Sequence, residues 1–129
     1  MTMLHTMRTF FVAVLIGLGA AAVSAAELIM VEENGCVWCA RWNSEIGPIY
    51  PRTLEGKTAP LRRVDIREAP PPGVSFKAPA IYTPTFVLVE NGAEIGRIEG
   101  YPGEDFFWGL LGVLLKNLPA TPQSEVTGL

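Results

Sequence analysis

The sequence predicts an α/β sandwich, a small mixed sheet flanked by helices, in a single domain. Three observations predict it. The chain has 129 residues, and domains usually run to roughly 100–150 residues. Strand-like and helix-like apolar patterns follow one another in the order strand, helix, strand, connection, hairpin, helix, which buries both kinds of apolar face when helices cover a sheet. Asn91-Gly92 between two apolar runs marks an antiparallel hairpin. The sequence has no internal repeat.

Each element has its own signal. Leu28-Ile29-Met30-Val31 is a short continuous apolar run of the kind a buried parallel strand gives. From Cys36 to Ile46 the pattern turns helical, with Cys39, Ala40, Trp42, Asn43 and Ile46 apolar or small. Gly47-Pro48 ends it and Asn34-Gly35 supplies the turn and a candidate N-cap. A second strand is expected at Leu61 to Ile66, with Arg62 and Arg63 as solvated strand-edge charges. Ala69-Pro70-Pro71-Pro72-Gly73 fits neither a helix interior nor a central strand, so an irregular connection is expected to about Ala80. Thr85 to Val89 and Glu94 to Glu99 form the hairpin strands. Glu104 to Leu118 predicts a helix whose apolar face carries Phe106, Leu110, Leu114 and Leu118 with Phe107, Leu111 and Leu115 beside them. Glu104-Asp105 and Lys116 match its dipole, and Pro119 stops it.

The first segment has the layout of a secretory signal: Arg8 and His5 in a weakly positive start, an apolar run from Phe10 to Ala22, then the small residues Val23-Ser24-Ala25-Ala26. The run is shorter than the ~20 residues a spanning helix needs, which favours removal over an uncleaved membrane anchor. The expected organisation is a signal peptide over 1–25, a folded domain over 26–119 and a mobile tail over 120–129. Without the signal, nine basic side chains stand against thirteen acidic ones and no histidine remains. Such a scattered, mildly acidic surface lacks the basic stripe that nucleic-acid binding requires.

Export sets the redox context, because disulfides persist outside the cytoplasm. Cys36-Val37-Trp38-Cys39 falls where a strand passes into a helix, and the unpaired amides and partial positive charge of a helix N-terminus stabilise a thiolate. Cys36 is therefore the expected nucleophile. Cys39, one turn later, is the expected resolving thiol, able to attack a mixed disulfide on Cys36. A structural zinc site commonly needs four nitrogen or sulfur ligands, and there is no third cysteine, so no metal is expected. A c-type haem motif needs histidine after the second cysteine, where this chain has Ala40. An inert staple closing so short a loop would remove little unfolded-chain entropy.

These residues resemble the thioredoxin superfamily over essentially the whole of 26–119. The likeness rests on the apolar strand, the Cys-x-x-Cys at a helix start, Thr83-Pro84-Thr85 before the strand from Phe86, and Gly100 after the next strand. It implies that Pro84 is cis and faces the disulfide, that Thr83 lends backbone groups to a bound partner strand, and that Gly100 belongs to the substrate site. Three departures stand out. Met30 occupies the place of the family's buried aspartate, so its part in proton transfer is absent or passes to Glu32 or Glu33. Val37-Trp38 replaces Gly-Pro between the cysteines, and the proline-rich connection replaces the helix before the cis-proline.

Gly35-Cys36-Val37-Trp38-Cys39-Ala40-Arg41-Trp42 and Tyr82-Thr83-Pro84-Thr85-Phe86 are most similar to the SoxS-type periplasmic thioredoxins of bacterial sulfur-oxidation systems. That resemblance implies a periplasmic thiol-disulfide reductase that keeps a partner cysteine, such as that of the sulfur-carrier protein, in its thiol form. A membrane thiol transporter would supply the electrons, the protein would be a monomer, and the Cys36-Cys39 dithiol would need no further cofactor. Trp38, and Tyr101 beside Gly100, could line an apolar docking rim, whereas Trp42 is expected to pack inside. A disulfide-forming oxidase and a cytochrome-maturation thioredoxin share this chemistry. A binding module with a structural disulfide is the non-enzymatic alternative.

Overall fold

The computed structural model describes residues 26–119. The expected signal segment 1–25 and the tail 120–129 lie outside the described residues. In chain order the elements are β1 (Ala26–Glu32), α1 (Val37–Glu45), a 3₁₀ turn (Tyr50–Arg52), α2 (Leu54–Thr58), β2 (Leu61–Asp65), β3 (Thr85–Glu90), β4 (Ala93–Glu99) and α3 (Glu104–Leu115). The sheet is mixed, in the order β2-β1-β3-β4. β1 runs parallel to β2 and antiparallel to β3, and β3 runs antiparallel to β4.

The continuous apolar runs of β1 and β3 follow from burial on both faces of the sheet. Leu28, Met30, Phe86 and Leu88 point into the larger core under α1 and α3, with Trp42, Tyr50, Phe107 and Leu111. Ile29, Val31, Val87 and Val89 point the other way, into a smaller core with Val64, closed by Val74, Phe76 and Ala80 of the connection. Residues alternate between these cores because side chains alternate across a strand. The hairpin turns at Asn91 (φ 50) and Gly92 (φ 80), the pair of positive angles that a two-residue type I′ turn needs.

Several expectations are corrected. The expected order passes from the first helix directly to the second strand, but the 3₁₀ turn and α2 lie between them. Thr53 caps α2, its Oγ1 accepting from the Gly56 amide at 3.0 Å, and the buried Tyr50 hydroxyl donates to the Ala59 carbonyl at 2.7 Å. Pro48 and Pro51 masked these short elements by breaking any helical period. α3 ends at Leu115, and the Asn117 and Leu118 amides continue with tighter bonds to Leu114 and Leu115. Its buried stripe is also rotated. Phe107 and Leu111 are buried, whereas Phe106 is 69% exposed and Leu110 and Val113 are exposed too. The segment is apolar on nearly every side, so its period does not set its phase. Contacts of Phe107 with Trp42, Phe86 and Tyr101 do. Arg63 is not merely a solvated edge charge: its guanidinium lies 5.8 Å from the Trp42 ring centroid and pairs with Glu32 at 2.7 Å.

Between Asp65 and Thr85 the connection forms neither helix nor strand, apart from a single bridge from Ser75 to Ala93. Its middle is held by the buried Glu94, whose Oε2 accepts from the Lys77 amide at 2.6 Å. The Arg97 guanidinium donates to both Glu94 oxygens, at 2.7 and 2.9 Å, and to the Ala78 carbonyl at 2.7 Å. The Arg97 hydrogen bond holds the Glu94 carboxyl below its ordinary value of 4.5 despite burial, and the Lys77 amide adds to the effect. A depressed folded-state pKa contributes stability that is present above the unfolded value and lost as pH falls through the folded one. The urea midpoint is therefore expected to drop in acid, and Glu94→Gln to flatten that drop. Equal acid sensitivity of the two proteins would contradict the assignment.

Candidate active site

β1 delivers the chain to a tight turn, with Gly35 at φ 82, and the Cys36 amide donates to the Glu33 carbonyl at 3.4 Å. Cys36, rather than Asn34-Gly35, is the N-cap of α1: its backbone is extended, and its Sγ accepts from the Cys39 amide at 3.1 Å. The cap satisfies one of the amides that a helix start leaves unpaired. Cys36 and Cys39 form a disulfide with Cα atoms 5.2 Å apart. Access to the two is unequal, since Cys36 is half-buried and Cys39 is 3% exposed.

The loop before β3 closes the other side. The Thr83-Pro84 peptide is cis, Pro84 is buried, and the Thr83 hydroxyl donates to Glu33 Oε1 at 2.9 Å. That bond ties the loop to the turn ahead of Cys36. Gly100, at φ 83, donates its amide to the Pro84 carbonyl at 2.7 Å. An added Cβ at Gly100 would meet nothing within 4 Å, so the glycine is needed there for its backbone angle rather than for space.

Glu32 and Glu33 line one polar cleft together with Cys36, Asn43 and Arg63. Glu32 is paired with Arg63 and Glu33 with Thr83. Beneath them Met30 is fully buried in the same core as Cys39. Among the described residues no group of three or more His, Cys, Asp or Glu side chains is placed to hold a metal ion, and no helix is long and apolar enough to cross a membrane.

Trp38 is 52% exposed on the rim. Tyr101 is not: it is buried, and its hydroxyl donates to Glu45 Oε2 at 2.5 Å. Burial first, then this bond to a carboxylate, pushes the Tyr101 hydroxyl above its ordinary range. Hydrogen bonds from Arg41 and then Tyr101 hold Glu45 low. The Arg41 guanidinium lies 5.9 Å from the ring centroids of both Trp38 and Tyr101, so it bridges the exposed ring to the buried one. Trp42 packs inside, as expected. Sequence reasoning gave no site role to Ile81, or to Tyr82 beyond its place in the segment that carries the resemblance; they are 69% and 56% exposed just before Thr83. Their signal was two large apolar residues at the end of a proline-rich loop.

A sheet of this order, a dithiol motif capping the first helix and a cis-proline loop beside it define a thioredoxin-like thiol-disulfide oxidoreductase. Among solved structures, the periplasmic thioredoxin SoxS from Paracoccus pantotrophus, in its reduced form, is 50% identical with a TM-score of 0.70, over 71% of this chain and 97% of that one. The thioredoxin of Malassezia sympodialis is 22% identical with a TM-score of 0.49, over 70% and 77% of the two chains, a likeness too slight to add to the assignment. No protein-family profile matches the chain, and no curated protein sequence does. The chain belongs to the thioredoxin superfamily and is SoxS-like within it.

Proposed function

We propose that the protein is a periplasmic reductase that keeps a cysteine of a partner protein in its thiol form, with Cys36 as nucleophile and Cys39 as resolving thiol. The observation that carries this is the unequal access of the two sulfurs. A partner can reach Cys36, whose sulfur caps a helix and accepts an amide hydrogen bond, but not the buried Cys39. The same cap stabilises Cys36 as a thiolate.

In the reaction, the Cys36 thiolate attacks one sulfur of a partner disulfide and expels the other as a thiolate. Cys39 loses its proton, and the assisting role falls to Glu32 or Glu33, which line the polar cleft together with Cys36. Its thiolate then attacks Cys36 Sγ and frees the second partner sulfur. Two electrons have passed to the partner, and Cys36-Cys39 is left as the disulfide. No cofactor beyond this pair takes part.

The partner segment lies along Thr83, Pro84 and Gly100, with Trp38 against its apolar side chains. The partner implied by the SoxS-type resemblance is the sulfur-carrier protein of a sulfur-oxidation system, and a membrane thiol transporter returns electrons to the disulfide. Removal of 1–25 after export leaves a monomeric domain over 26–119 with a short tail. A periplasmic location is supported by the likeness to a periplasmic thioredoxin.

Equilibration against glutathione buffers tests the direction of electron flow. The expected potential lies nearer thioredoxin's ~−270 mV than the ~−120 mV of a strong oxidant. A value at the oxidising end would overturn the reductase assignment in favour of disulfide formation.

A further inference from the structure

We propose that Arg97, with Glu94, is a positioning residue for protein substrates: it holds the helix-free connection so that Ile81 and Tyr82 stand beside the dithiol. This rests on the assignment of Cys36 and Cys39 to protein disulfides.

Backbone amides and carbonyls withdrawn from water need partners, and a segment with three consecutive prolines and no helix or strand supplies few of its own. Among the described residues, the side chains that hydrogen-bond the backbone between Glu68 and Ile81 are those of Glu94 and Arg97. Glu94 takes the Lys77 amide, and Arg97 takes the Ala78 carbonyl at 2.7 Å and the Pro79 carbonyl at 3.5 Å. Arg97 also lies 5.9 Å from the Phe76 ring centroid, against the start of the same stretch. Four residues past Pro79, Thr83 is pinned to Glu33. Ile81 and Tyr82 therefore stand between two fixed points.

Both are large, apolar and mostly exposed, as are Val37 and Trp38 within the Cys36-Cys39 motif. Exposed apolar side chains in the motif and in the loop that Thr83 ties to the turn ahead of Cys36 mark a contact surface. The chemistry they fit is an extended protein segment with apolar residues flanking its cysteine. A small disulfide needs only Cys36 and gains nothing from them. A buried ion pair is a poor source of net stability, since desolvation offsets the attraction. What the planar guanidinium supplies is several donors in a fixed fork, which lysine cannot reproduce.

Arg97→Lys keeps a positive charge for Glu94 but loses the fork to the Ala78 and Pro79 carbonyls. Steady-state reduction of insulin disulfides, reduction of hydroxyethyl disulfide and the Cys36-Cys39 potential are measured for both proteins. The expected result is a KM for insulin raised roughly fivefold or more, the size of losing one or two hydrogen bonds, with kcat, the hydroxyethyl disulfide rate and the potential as in the wild type. Equal loss on both substrates, or no loss on insulin, overturns the proposal. If Arg97→Lys does not fold, Glu94→Gln decides in the same way: it keeps an acceptor for Lys77 and Arg97 and should show a smaller insulin-selective loss. Wild-type protein that cannot reduce insulin counts against the proposed function and takes this inference with it. An active wild type with an indifferent variant counts against this inference alone.

Discussion

Cys36→Ser is expected to lower insulin-disulfide reduction to the rate of the chemical reductant alone, while Cys39→Ser accumulates a covalent complex with its substrate. The asymmetry follows from position. Cys36 carries the accessible sulfur that accepts the Cys39 amide, and a serine hydroxyl there stays protonated at neutral pH and cannot begin the exchange. In Cys39→Ser the attacking sulfur survives, but nothing remains to cleave the mixed disulfide. Non-reducing electrophoresis reads the trapped species, and reductant should release it. Trapping through Cys39 in Cys36→Ser, with none in Cys39→Ser, would invert the roles.

The largest expected loss of stability is at Trp42. This side chain is fully buried, with ring centroids 5.2 Å from Phe86, 5.7 Å from Phe107 and 6.1 Å from Tyr50. It joins α1 to the sheet and to α3. Truncation to alanine removes those contacts and leaves a cavity, which costs about 3–5 kcal/mol for a buried aromatic. For a domain of this size that lowers Tm by roughly 12 °C or more, read by calorimetry or thermal circular dichroism. Trp42→Phe should cost clearly less, because it keeps a ring there and removes an indole N–H that has no hydrogen-bond partner. A shift of a degree or two for Trp42→Ala would show that the core does not close around this ring.

Much of the fold and the centre of the site was legible in the residues, and the reasons are local. Strand β1 shows as an apolar run because both its faces are covered, the hairpin as Asn-Gly because that turn needs two positive φ angles, and the dithiol as two cysteines one helical turn apart. The two short elements between α1 and β2 escaped because each is under two turns long and the 3₁₀ turn carries Pro51, so no period could develop. Only Thr53, as a cap, announced α2.

The sequence by itself determined the kinds and order of the longer elements and the reacting pair, since each is encoded by neighbours within one turn or one strand. The tertiary structure alone decided which face of α3 is buried, that Tyr101 lies inside while Ile81 and Tyr82 lie outside, and which charges meet. Glu32 finds Arg63 across 31 positions, Thr83 finds Glu33 across 50, and Tyr101 finds Glu45 across 56. An apolar or charged residue does not encode its partner at such distances. Partners are set only when the sheet brings strands into register and the helices pack upon it.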